Sequence, residues 1–63
     1  MKIQIGDYIK KNNTEGKVLG KVVDIIDVFD VVAYYQTDNW MSWPSFFIMK
    51  ATDEEAMLYM LEN

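Results

Sequence analysis

The spacing of apolar and polar residues changes rhythm three times along this chain. Over residues 2–10 the two kinds alternate, with Ile3, Ile5 and Ile9 on one side of an extended segment and Lys2, Gln4, Tyr8 and Lys10 on the other. That period of two predicts a half-buried strand. Gly6-Asp7 interrupts it and predicts a bend or bulge. Residues 11–16, Lys-Asn-Asn-Thr-Glu-Gly, are polar throughout and end in a residue that takes positive φ without strain, which predicts a loop.

Residues 17–36 fit two periods at once. Val22, Ile25, Ile26, Phe29, Val32 and Ala33 fall at helical spacing, with Asp24, Asp27 and Asp30 near the opposite side. Against a helix, residues 22–32 include seven β-branched side chains, a composition suited to pleated sheet. The strand reading is preferred. It gives one strand over 17–26, a tight reversal over 27–30 and a second strand over 31–36. Thr37-Asp38-Asn39 then predicts a turn, residues 40–43 a short strand, Pro44-Ser45 a break, and residues 46–50 a fifth strand. Short strands joined by tight turns predict a small closed barrel.

The third rhythm begins at Thr52-Asp53-Glu54-Glu55, a capping box with three acids at the positive end of a helix dipole. A helix is predicted from Asp53 to about Glu62. Its body, Ala56-Met57-Leu58-Tyr59-Met60-Leu61, is apolar on every side, whereas packing on a barrel covers only one stripe. Either the helix plugs the open end of the barrel and leaves a few apolar groups in water, or Met57, Leu58 and Leu61 meet a partner or a second copy.

Length and composition narrow the class. Sixty-three residues make a single small domain, 1–50 a β-barrel and 52–62 the helix, near the size at which a core just holds without disulfides or metal. Half of the residues are hydrophobic, too many for disorder, and no apolar run is long enough to span a bilayer. There is no signal-peptide pattern and no cysteine, so the expected location is the cytoplasm. All six basic residues are lysines, and Ile and Asn are frequent, as AT-rich coding in many phages and low-GC bacteria would give.

The net charge of −4 is unevenly spread: residues 1–23 sum to +3 and residues 24–63 to −7. The simple consequence is that the two ends attract each other; the functional one is an acidic surface for a basic partner. Nucleic acid is a disfavoured ligand because its phosphates need a basic footprint.

Residues 39–47 hold four of the nine aromatic side chains, including both tryptophans, around the only proline. Residues three apart on a strand face opposite sides, so Trp40 and Trp43 divide between surface and core. Trp43 beside Pro44 is the structural one. Trp40, with Tyr35 and Tyr8, forms the candidate exposed patch, since aromatics carry much of the energy of protein contacts.

Taken together, Ile5-Gly6-Asp7-Tyr8-Ile9, Gly16-Lys17-Val18 with Val22, Val31-Val32-Ala33-Tyr34 and Trp43-Pro44-Ser45-Phe46-Phe47-Ile48 resemble the small SH3-like barrels of the Tudor, KOW and bacterial types. The resemblance covers about residues 3–50. It implies a five-stranded SH3-like barrel, here with a short C-terminal helix. In barrels of this kind that bind proline-rich peptides, the segment resembling residues 43–48 supplies part of an aromatic groove.

Catalysis is disfavoured by elimination. There is no histidine, no cysteine and no arginine, which removes the commonest acid, base, nucleophile and anion clamp. Asp24, Asp27 and Asp30 do not converge on a strand, no loop has calcium-site spacing, and the glycines lack a phosphate-loop pattern. No cofactor, metal or catalytic residue is expected. The expected function is a non-enzymatic adaptor or inhibitor binding another protein, such as a phage-encoded factor acting on a host complex. The alternative is a nucleic-acid-associated barrel using Lys10, Lys11, Lys17 and Lys21.

Overall fold

A computed structural model describes residues 2–62. Five strands are followed by one helix: β1 (Tyr8–Lys11), β2 (Val18–Val28), β3 (Val31–Thr37), β4 (Ser42–Pro44), a 3₁₀ turn (Ser45–Phe47), β5 (Ile48–Lys50) and α1 (Asp53–Glu62). All ladders are antiparallel, in the order β4-β3-β2-β1-β5. The mainly-β class and the C-terminal helix therefore agree with the sequence pattern.

The expected closed barrel is corrected to an open, barrel-like sheet. Among the described residues β4 and β5 form the two edges and share no ladder. They are nevertheless joined by three residues of 3₁₀ turn, which rise only about 6 Å. The sheet must coil to bring the end of β4 that close to the start of β5. The Asn12 amide donates to the Phe47 carbonyl (2.8 Å) and the Asn12 side chain to the Phe46 carbonyl (2.9 Å), pinning that turn to the loop after β1.

Two bulges explain why residues 22–33 look helical in sequence. Val22 faces Thr37 but Asp24 faces Gln36, leaving Val23 as an extra residue in β2; Ile26 faces Tyr34 but Asp27 faces Val32, leaving Ala33 as an extra residue in β3. Each bulge converts a spacing of two into a spacing of three. Val22 and Ile25 thereby point to the same interior, as do Val32 and Tyr35. The core consists of Ile3, Ile9, Val22, Tyr35 and Ile48, with Leu19, Ile25, Val32 and Trp43 packed around it.

The N-terminal alternation is only partly realised. The strand starts at Tyr8, because Gly6 takes φ +98° and its amide donates to the Val22 carbonyl (2.8 Å). The turn so formed throws Ile5 outward, 64% exposed, rather than beside Ile3 and Ile9. Lys10 is also corrected, from solvent to a buried position, because α1 covers its side of β1. Downstream, Trp40 lies in the turn after β3 with φ +65° rather than in the fourth strand, Pro44 is the last residue of β4 rather than part of the break that follows it, and Phe46 and Phe47 lie in the 3₁₀ turn rather than in the fifth strand. Proline is compatible with β4 because that strand is an edge.

The reversal expected at residues 27–30 is a two-residue hairpin with Phe29 (φ +51°) and Asp30 (φ +63°) both left-handed. Such turns favour Asn-Gly, because a bulky side chain at positive φ costs on the order of 1–3 kcal/mol. Phe29 is also 96% exposed, so no packing offsets that strain. Phe29→Asn combined with Asp30→Gly is expected to raise stability by about 1–2 kcal/mol in urea melts. An unchanged or lower midpoint would show that the tip is held by contacts other than its own backbone preference.

Candidate functional site

The residues expected to form one aromatic patch are placed in three different settings. Tyr35 is corrected from surface to core: it is 8% exposed, because the bulge at Ala33 turns it inward opposite Ile25 and Trp43. Tyr8 is half-buried, its ring 5.8 Å from that of Tyr59 on α1 at an angle of 58°. Trp40 alone stands in water, 83% exposed, beside Val23, Thr37 and Asp38. Its turn is rigidly held: the fully buried Thr37 donates its hydroxyl to the Asn39 side chain, its amide donates to the Met41 carbonyl (2.8 Å), and the Trp40 amide donates to the Thr37 carbonyl (3.0 Å). Trp43 packs against the core as expected, with the Lys11 ammonium 5.8 Å over its ring.

The body of α1 lies at the surface. None of the described residues of α1 is buried, and Met57, Leu58, Met60 and Leu61 are all exposed, Leu61 at 78%. The helix is tied down instead through its first turn. The capping box forms, with the Glu55 amide donating to the Thr52 hydroxyl (3.1 Å) and the Thr52 amide donating to Oε1 of Glu55 (2.9 Å). The other oxygen, Oε2, accepts from the Lys10 ammonium (2.8 Å) and from the Gly16 amide (2.7 Å). One carboxylate therefore joins β1, the following loop and α1. The Lys10 ammonium and the Thr52 and Gly16 amides hold its pKa down, to about 2.

That pairing changes the charge picture. Lys10 is taken out of the lysine-rich end, and Lys50 lies 3.7 Å from Asp7, which leaves Lys11, Lys17 and Lys21 as the remaining basic side of the nucleic-acid alternative. The acidic half forms no ion-binding cluster: among the described residues no three carboxylates come together, and Asp24 and Asp27 fall on opposite faces of β2. No described helix is long and apolar enough to cross a membrane.

A further apolar face went unforeseen. Ile26 faces Tyr34 and Val28 faces Val31 on the outer side of the β2–β3 hairpin, and all four are exposed, with Phe29 at the tip. The missed signal was the bulge at Ala33, which sets Val31 and Tyr34 on one face although they are three apart. Comparison with protein-family models, curated proteins and solved structures finds no match, so geometry and chemistry carry the functional reading.

Proposed function

We propose that this chain is a non-enzymatic protein-interaction module of SH3-like barrel type, an adaptor or inhibitor acting on another protein in the cytoplasm. The observation that carries the reading is the helix α1, whose body over residues 56–61 is apolar around its circumference; the helix buries none of its described residues and exposes Met57, Leu58, Met60 and Leu61. Exposed apolar surface concentrated on one element marks a contact site, and methionine makes it adaptable. A different protein suits this surface better than a second copy. The helix carries Asp53, Glu54, Glu55 and Glu62 and no basic residue, so two such helices laid together would bring like charges side by side.

The test is a tagged pull-down from the native host's lysate, with nuclease present and absent, using the wild-type chain and Met57→Glu/Leu61→Glu. A stoichiometric protein is expected to survive nuclease and to be lost by at least about tenfold in the variant, whose melting temperature should stay near wild type. Loss of all partners on nuclease treatment would instead select the nucleic-acid alternative. Recovery of the bait alone would sink the adaptor reading.

A further inference from the structure

Beyond Val22 the long strand β2 has a neighbour on one side only. β1 pairs with it as far as Lys21, and two bonds at Val22, its amide to the Asp7 carbonyl and its carbonyl from the Gly6 amide, each 2.8 Å, end that ladder. From residue 23 to 28, β2 has β3 on one side and, among the described residues, no strand on the other.

The register tells which groups look into this opening. In an antiparallel ladder alternate residues turn their N–H and C=O to opposite sides. Val28 and Val31 flank the two-residue turn and bond each other, so Ile26 and Asp24 also face β3, while Asp27 and Ile25 face outward. An independent observation agrees: the Ile25 amide donates to Oδ1 of Asp24 at 2.9 Å. The Asp24 carboxylate thus covers an outward donor that has no strand partner, a way of blunting an exposed edge. At the Asp27 amide no such side-chain cover is present among the described residues.

We propose that this open edge, residues 23–28 of β2, takes an extended lysine- or arginine-bearing strand of another protein, which joins the sheet by backbone pairing. The inference rests on the interaction-module reading and names a second contact surface for it. Charge decides the occupant. Asp24, Asp27 and Asp30 line the hairpin, and no basic residue lies between Lys21 and Lys50. A second copy would lay the same edge, with its own Asp24, Asp27 and Asp30 and no basic residue, against this one, and like charges gathered across a ladder destabilise it. A basic strand reverses that sign. Asp24, Ile26 and Val28 share one face and Asp27 the other, so an antiparallel guest reads apolar, basic, apolar, any residue, basic, from Val28 back to Asp24.

The probe is a blocked peptide, Thr-Val-Lys-Val-Thr-Lys-Thr, titrated into the ¹⁵N-labelled full chain, with a matched peptide bearing Glu in place of Lys. Expected are saturable shifts at residues 23–28 with the lysine peptide only, and exchange of the Ile25 and Asp27 amides slowed by about tenfold or more at saturation. Asp27→Pro removes an outward N–H without touching the β3 ladder and is expected to weaken binding by about tenfold. Should that variant misfold, Asp24→Lys/Asp27→Lys tests the same edge, its preference switching to the glutamate peptide. Absence of saturable shifts, shifts confined to α1, undiminished binding by folded Asp27→Pro, or no switch in the charge-reversed variant overturns the proposal. So does a dimer in sedimentation that Asp27→Pro dissolves, since a second copy would then own the edge. The two readings can fail separately: peptide binding with no lysate partner leaves the edge and removes the adaptor, whereas a lysate partner retained by Asp27→Pro does the reverse.

Discussion

Ile9→Ala is expected to leave much of the domain unfolded near 37 °C. Ile9 is completely buried and sits where two ladders meet, facing Gly20 of β2 on one side and Lys50 of β5 on the other. Truncating a core isoleucine costs about 2–5 kcal/mol. A chain of 63 residues has only about 3–9 kcal/mol in total, at roughly 0.05–0.15 per residue. Thermal melts followed by circular dichroism should lose most of their cooperative amplitude, while Ile5→Ala, at the exposed turn before β1, should change stability by less than about 0.5 kcal/mol. A normal melt for Ile9→Ala would remove that residue from the core.

Glu55→Gln is expected to flatten the acid dependence of stability and to loosen α1. In the folded chain the Lys10 ammonium and the Thr52 and Gly16 amides lower the Glu55 pKa from 4.5 to about 2. The unfolded chain therefore binds the proton more readily, and the stabilisation from the ionised carboxylate is fully present above about pH 4.5. It is lost as pH falls from there to about 2. Urea midpoints of wild type and Glu55→Gln should differ most above pH 4.5 and converge toward pH 2. Glu55→Ala should be worse than Glu55→Gln at neutral pH, because Gln keeps a carbonyl oxygen that can accept from the Lys10 ammonium, whereas Ala leaves that ammonium, its side chain keeping only 7% of its accessible surface, with neither counter-charge nor acceptor. Lys10→Met together with Glu55→Leu should recover most of that loss. Parallel acid profiles for wild type and Glu55→Gln would dismiss the carboxylate as the junction.

Local chemistry was legible in the sequence wherever one residue type decides the backbone. The capping box at Thr52 and Glu55 and the loop closed by Gly16 each formed where their residues stand. What could not be read is what depends on distant pairing. The bulges at Val23 and Ala33 arise from the register between β2 and β3, and they turned a two-residue period into a three-residue one and Tyr35 into the core. The fate of Lys10 was hidden for the same reason, since the partner that makes its burial tolerable is 45 positions away. Of the candidate contact residues, Met57, Leu58, Leu61 and Trp40 are exposed, while Tyr8 is shared with Tyr59. The open edge of β2 left no trace in local pattern, because an edge is defined by where another strand ends.

The strand order also sets the sequence of events during synthesis. β1 pairs with β5, so Ile9 waits for Lys50, 41 positions later, before its second ladder can form. At about 5–20 residues per second the emerging chain spends seconds with β1 incomplete. The β2–β3 hairpin needs only its own neighbours and can form first, in about microseconds once it is clear. A nascent chain of this protein therefore displays its hairpin, with the unpaired side of β2 already available, well before the ends of the chain have met.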